Sequence, residues 1–491
     1  MMKIPLLSFF LTLLVAASSC TRPAPSGSGH TEFTVAVYNV ENLFDVDGVA
    51  IFNDYKPGEA GEPFTYTRRM LLTKLENAAA LLVALEPGGP DVILFQELEG
   101  DFTPESSVTD IEAFLARHAD TTVHTMLTDG WQESYRGYPA VAWLAKAMAD
   151  VGLDGYQVVV APTKPFDSGI AHVNATFSRF PIKQAHFHEI VQARDIIEVE
   201  LDVAGHSLWV YNNHWKAGAS NPNREPIRVQ NAQVLKALVE ARLEADPQAD
   251  IIIGGDLNSH YNHSILYADI QTGINDVLGS HYLEGESLYN LWYEVEPEQR
   301  YAEVWRGNRG TLMHLIVSPG LYDDAGVSYL DNSFEVGRIV GLNADAFKRP
   351  RSWHFSGETG GGTSDHFPLI ARFSTAPFEP EGELNAVEDA LDFEMRHDDD
   401  PTIFPDELPD GSFFGQDLSQ DPGALVGRLH AVQATVLSEQ PLRLKVAGKE
   451  WAAYAPAPHV REQLKAGLKM ELAVSLGYWK GEPQLVVAAI R

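Results

Sequence analysis

Five polar clusters in this chain each adjoin a short apolar run, and their residue types are those of metal-assisted phosphate chemistry. Asn39 follows Phe33–Tyr38, Glu97 follows Val92–Phe95, and Asn212-Asn213-His214 follows Leu208–Tyr211. Asp256 and Asn258 follow Ile251–Ile253, and Asp365-His366 lies just before Leu369–Ile370. A carboxylate at the mouth of a buried strand is a good oxygen donor for Mg²⁺ or Mn²⁺, which take only one or two protein carboxylates besides waters and phosphate. Glu97 fits that role, and Glu99, two residues on, is an alternative that strand alternation would place on the same face. Asp256 could take a proton from a water, with the Asn258 amide beside it. Gly254-Gly255 would let the backbone approach a ligand. His366 could act as a base or hold phosphate as a cation, and His214 suits protonation of a leaving oxygen.

Each cluster needs a strand to deliver it. Runs of four to six residues rich in Val and Ile and bounded by polar or Gly positions read as buried strands. Between them stand two helices. In Thr67–Leu85, Met70, Leu71, Leu75, Ala78, Leu82 and Leu85 recur at helical spacing, and Pro87 with Gly88-Gly89 stops the helix. Pro226–Leu243 repeats the design. Each helix leads into a strand ending in a candidate, Glu97 or Asp256, so helix, strand and carboxylate recur in that order. This predicts a two-part α/β sandwich. Within the otherwise opaque stretch 100–155, Ala140–Ala149 is helix-like, and with Trp131–Gly137 it would shape a substrate groove or cover a sheet edge.

The ends of the chain differ in composition. Lys3, the apolar stretch Ile4–Ala17 and the small residues before Cys20 read as an export signal spanning 1–20, too short to cross a membrane comfortably. Cys20 is the only cysteine, so no intramolecular disulfide forms. Its setting resembles the lipobox of bacterial lipoproteins, which implies lipidation at Cys20 and a membrane-anchored, exported protein of the cell envelope. Residues 21–32 would then be a tether. Residues 379–421 hold fifteen Asp or Glu against one basic residue, Arg396, and the acidic stretch 377–422 is expected to be a linker. Beyond it, 423–491 carries nine basic and five acidic residues, net +4 against −32 for the chain. Three strands, a helix and two strands are expected there, the order of an OB barrel. Trp451, Tyr454, Tyr478 and Trp479 would be its stacking rings for single-stranded nucleic acid. The overall charge excludes a protein that wraps duplex DNA with a broad basic surface.

Several segments carry a family resemblance. They are Tyr38-Asn39-Val40-Glu41-Asn42-Leu43, Gln96-Glu97, Ser178-Arg179-Phe180-Pro181, Asn212-Asn213-His214-Trp215-Lys216, Gly255-Asp256-Leu257-Asn258 and Ser364-Asp365-His366. In this order they resemble the endonuclease/exonuclease/phosphatase superfamily, the DNase-I-like fold, over a catalytic domain at 33–376. The resemblance implies a four-layer α/β sandwich, two mixed sheets flanked by helices, hydrolysing phosphate esters with Mg²⁺ or Mn²⁺. It implies Asn39, Glu97 and Asp365 around the metal, and His214, Asp256, Asn258 and His366 as catalytic groups. Arg179, Asn213 and Lys216 would bind substrate. One position departs from the pattern. Family members carry an Asp that orients the catalytic His, where this chain has Met313 in Leu312-Met313-His314-Leu315. Another carboxylate, with Asp323 and Asp324 as candidates, or His314 would have to replace it, or catalysis would be slow. The expected function is an exported nuclease acting on DNA or RNA. The alternatives are hydrolysis of a lipid or sugar phosphate on the same fold, or a catalytically weak nucleic-acid-binding surface protein.

Overall fold

The computed structural model describes residues 29–49, 66–103, 108–281, 288–305, 307–345, 347–355, 357–380, 408–416, 429–479 and 482–491. The signal segment with Cys20, most of the tether and most of the acidic linker lie outside them. So do the side chains of Tyr478 and Trp479.

The first sheet begins with β1 (Glu32–Leu43), β2 (Val92–Glu99), β3 (Gln157–Val160) and β4 (His172–Ser178). The second begins with β5 (Ile182–His188), β6 (Ile196–Val203), β7 (His206–His214) and β8 (Asp250–Asp256). Short β9 (Ser280–His281) and β10 (Leu288–Asn290) form its edge. A separate hairpin pairs β11 (Glu303–Trp305) with β12 (Asn308–Gly310). β13 (Met313–Val317) returns to the second sheet, and β14 (Ser328–Tyr329), β15 (Glu335–Val336) and β16 (Leu369–Ser374) complete the first. The orders are β14-β16-β1-β2-β4-β3, with β15 also on β16, and β5-β6-β7-β8-β13-β10-β9.

Strand alternation divides the side chains between two cores. On β7 and β8, Leu208, Val210 and Ile252 join Val35, Val37 and Leu94 of the first sheet in the core between the sheets. Their neighbours Trp209, Tyr211, Ile251 and Ile253 face the other way, onto Ala232, Leu235 and Val239 of a helix at Glu225–Ala245. The first sheet is covered by the helices Arg68–Leu85 (α1), Ile111–Arg117 (α2), Val123–Leu127 (α3) and Ala140–Asp150 (α4). The opaque stretch 100–155 is therefore an outer helical layer, and the Glu225–Ala245 helix (α5) is the other. The domain is a four-layer α/β sandwich. Thr67 caps α1 by accepting from the Met70 N–H at 3.2 Å.

Gly254 sets the distance between the sheets. A Cβ there would lie 2.5 Å from Leu94 Cδ1 and 2.8 Å from Val37 Cγ2 across the interface. At Gly255, with φ of +136°, it would lie 2.0 Å from the Asn213 carbonyl oxygen. These glycines were expected to admit a ligand; they admit neighbouring strands instead.

Residues 430–490 form a closed five-stranded barrel: His430–Glu439 (β17), Leu442–Val446 (β18), Lys449–Tyr454 (β19), Lys469–Trp479 (β20) and Glu482–Ile490 (β21). The order β17-β18-β19-β21-β20, with a short helix at Pro458–Gln463 between the third and fourth strands, is OB-like. Trp451 is no stacking platform: it is buried in the barrel core and donates from Nε1 to Phe414 O at 3.0 Å. No helix among the described residues is long and apolar enough to cross a membrane.

Candidate active site

Strand direction gathers the clusters at one rim. β1 runs parallel to β2 and β7 parallel to β8, so Asn39, Glu97, His214 and Asp256 all sit at C-terminal strand ends. β16 runs antiparallel to β1, which brings the preceding Ser364–His366 loop to the same rim. Ser364 Oγ fastens that loop by donating to Asn39 O at 2.7 Å.

At this level β1 and β2 both bulge, between Asn39 and Leu43 and between Phe95 and Leu98. Glu41, Asn42 and Glu97 have φ of 49°, 55° and 65°, in the left-handed region that costs a non-glycine residue of order 1–3 kcal/mol. The bulge separates Glu97 from Glu99, correcting the expectation of a shared face. Glu99 is buried elsewhere and accepts from the Asp45 N–H at 2.8 Å.

Asn39 occupies the centre. Its Nδ2 donates to Glu97 Oε1 and Asp256 Oδ2, each at 3.1 Å, while its Oδ1 accepts from the Glu41 N–H at 2.9 Å. It therefore presents its nitrogen to the two carboxylates and pins them together. His214 Nε2 stands 3.8 Å from Glu97 Oε1 and 3.7 Å from Asp256 Oδ2. His366 Nε2 stands 3.7 Å from both Asp256 Oδ2 and Asp365 Oδ1. The Asn258 N–H donates to Asp256 Oδ1 at 2.9 Å, and the Asn258 side chain donates to Trp215 O at 3.3 Å.

The four titratable groups are driven apart. Burial raises Glu97, but His172, His214, Arg194 and the Asn39 amide outweigh it and hold the carboxyl down at about 2. Burial lifts Asp256 to about 6, opposed by His366 and the Asn258 N–H. Burial would lower His366, yet Asp365, Glu303 and Asp256 raise it well above the usual imidazole range. His214 is pushed well below that range by burial and by Arg194. The rim thus holds an ionised Glu97, an Asp256 poised near neutrality, a cationic His366 and a neutral His214.

Three substrate-binding expectations fare differently. Arg179 lies at the wrong end of the sandwich. Ser178 pairs with Val92, five residues before Glu97, roughly 17 Å away along the strand. There Arg179 donates to Gly88 O at 2.7 Å, Gly89 O at 3.1 Å and Asp154 O at 3.1 Å. Asn213 faces away from the rim, donating to Tyr211 O at 3.0 Å and accepting from Trp215 Nε1 at 3.2 Å. Lys216 is half-buried next to the rim strand, its ammonium held below its ordinary value by burial, Arg224 and Arg194.

The substitutes suggested for the missing Asp also lie elsewhere. Met313 pairs directly with Asp256 and packs into the core between the sheets. His314 faces Ser259 O at 2.7 Å and Asn290 Nδ2 at 3.1 Å. Asp323 accepts from Gln248 Nε2 at 3.0 Å and the Ala325 N–H at 2.7 Å, beyond the far end of β13; Asp324 is its neighbour there.

Three site residues had not been singled out. Arg194, between β5 and β6, bonds His172 Nδ1 through Nη2 at 3.0 Å and acts on both Glu97 and Asp256. No apolar run precedes it, so it left no trace in the pattern. Lys74 is buried on α1 and donates from Nζ to Glu41 O at 2.7 Å and Thr363 O at 2.8 Å, tying two rim loops together. Its signal was legible: a lysine inside the apolar stripe of Leu71, Leu75 and Ala78. Glu303 is the third.

The donor set fits a divalent cation. Glu97 Oε1, His214 Nε2 and Asp256 Oδ2 can all lie within 4.8 Å of one another. The Asp365 carboxylate lies on the same rim, 3.7 Å from His366 Nε2.

Two packed mixed sheets with hard oxygen donors and two imidazoles at one rim define the class: a DNase-I-like α/β sandwich. Residues 173–374 match the Endonuclease/Exonuclease/phosphatase family. Similar solved structures include truncated Caenorhabditis elegans TDP2, at 15% identity over 70% of this chain and 97% of that one, TM-score 0.36. The human Nocturnin catalytic domain with bound sulfate anion shares 14% over 70% and 94%, TM-score 0.37. A family protein from Bacteroides thetaiotaomicron shares 14% over 71% and 96%, TM-score 0.37. No curated protein matches the chain.

Proposed function

We propose that this chain is an exported, metal-dependent phosphodiesterase that cleaves nucleic acid. The observation that carries the reading is Asn39, Glu97, His214, Asp256 and His366 meeting through contacts of 3.1 to 3.8 Å, although they come from distant parts of the chain. Glu97 and Asp365 are the residues that would hold Mg²⁺ or Mn²⁺, with Asn39 beside them. A bound ion supplies positive charge at a phosphate oxygen and favours ionisation of water.

The chain's own groups account for the remaining chemistry. Asp256, held near pH 6, accepts the proton of the attacking water as the new P–O bond forms. The Asn258 N–H fixes the other oxygen of that carboxylate. The cationic His366 and Arg194 stabilise charge on the non-bridging oxygens. His214, neutral, is placed to offer an Nε2–H hydrogen bond to the leaving oxygen, which takes its proton from solvent as the old P–O bond breaks. Trp305, two residues from Glu303 on β11, is 65% exposed. An exposed aromatic there supports a base-bearing substrate over a bare phosphomonoester. The barrel's surplus of basic residues points the same way. The signal segment and Cys20 support export and lipid anchoring at the bacterial envelope.

The purified protein is to be incubated with single- and double-stranded DNA, RNA and a phosphomonoester, with Mg²⁺ and with chelator. Chelator-sensitive cleavage of a nucleic acid, lowered at least ~10²-fold by Asp256→Asn, is the expected result. Turnover of the monoester alone would move the substrate to a small phosphate ester, and full activity of D256N would refute the assignment.

A further inference from the structure

We infer that Glu303, delivered by the β11–β12 hairpin, is the positioning residue for His366, an inference that rests on the hydrolase reading above. His366 Nδ1 lies 3.5 Å from Glu303 Oε2, an ion-pair contact rather than a formed hydrogen bond, while Nε2 lies 3.7 Å from both Asp256 and Asp365. The imidazole is thus backed by one carboxylate and turns its other nitrogen to Asp256 and Asp365.

The hairpin is built around that carboxylate. Glu303 is 94% buried, being 6% exposed. Its oxygens accept from the Leu312 N–H at 3.2 and 3.4 Å, which fixes the side chain immediately before Met313. A Cβ on Gly310, opposite Glu303 in the hairpin, would fall 1.9 Å from Glu303 Oε1, so only glycine leaves room for it. The Phe367 N–H donates to Ala302 O at 2.6 Å, locking the residue after His366 to the residue before Glu303. Four independent features therefore hold acid and imidazole in register. Met313 on β13, paired with Asp256 on β8, brings only a thioether, and it packs into the core between the sheets. The acid comes from the adjoining hairpin.

A positioned imidazole holds its tautomer and ring plane through the bond at the far nitrogen, and losing such an acid elsewhere costs orders of magnitude in turnover. Glu303→Gln keeps the size and the Leu312 contact. It is expected to lower kcat ~10²-fold or more with KM within about twofold. Gly310→Ala, which displaces the carboxylate but leaves Glu303 in the chain, should do the same. Independently of turnover, long-range ¹H–¹⁵N spectra of histidine-labelled, metal-free protein should show His366 protonated at Nδ1 in the parent. That signal should shift in E303Q. Unchanged His366 signals and an unchanged kcat in E303Q would overturn the inference. A parent that shows the His366 shift yet hydrolyses nothing would retain the contact and defeat the hydrolase reading instead.

Discussion

Asn39 offers the sharpest perturbation, because one amide nitrogen separates two carboxylates. With Glu97 Oε1 and Asp256 Oδ2 each 3.1 Å from Nδ2, the two oxygens are at most 6.2 Å apart, twice 3.1 Å. At an effective dielectric constant of 20, unit charges at that separation repel by about 2.7 kcal/mol. Asn39→Ala removes both charge-assisted hydrogen bonds and exposes that repulsion. Asp256 can escape it by protonation, which at pH 7.5, from a value of about 6, costs about 2 kcal/mol. The cheaper escape sets the scale, so N39A should lose about 2–3 kcal/mol in metal-free buffer. In a domain of this size that lowers the melting temperature by a few degrees. A divalent cation held by Glu97 would offset the repulsion, so saturating Mg²⁺ should recover much of the deficit. The assay is thermal unfolding of parent and N39A with and without Mg²⁺. Identical melting in metal-free buffer, or a deficit that Mg²⁺ leaves untouched, would refute the reasoning.

Two further outcomes follow from packing and burial. Gly254→Ala should destabilise by roughly 1–3 kcal/mol, since its Cβ meets Leu94 and Val37 at 2.5 and 2.8 Å; chemical denaturation measures it, and a neutral result would mean the sheets can separate freely. Asp250, far from the rim, is held up at about 8 by burial, with Oδ2 accepting from the Val327 N–H at 2.7 Å. Because the folded value is raised, its contribution is fully present below about pH 4 and is lost as pH rises to about 8. Asp250→Asn should flatten the decline in melting temperature over that window, and a profile parallel to the parent's would contradict it.

What could be read from the chain, and what could not, has a physical pattern. Buried strands announce themselves as apolar runs, so the residues at their ends were visible: Asn39, Glu97, His214, Asp256 and His366. Strand direction was not visible. Arg179 follows β4 as Asn39 follows its own apolar run, yet β4 runs antiparallel to β2 and delivers it to the opposite end. Asn213 was misplaced despite a legible signal, for alternation along β7 sends Asn212 and His214 inward and Asn213 outward. The Glu97–Glu99 pairing failed because a bulge breaks that same alternation. Arg194 and Glu303 come from a turn and a three-residue hairpin strand, where tertiary packing rather than local pattern places the side chain. The OB-like order was legible from turn spacing, while the burial of Trp451 depended on how the barrel closes.

The most direct trial is a Mn²⁺ titration of the purified protein followed by electron paramagnetic resonance. The placement of Glu97 and Asp365 calls for one tightly held ion in the parent and a loss of at least ~10-fold in affinity in Glu97→Gln. A parent that leaves Mn²⁺ free in solution, or an E97Q variant that holds it equally well, would contradict the account.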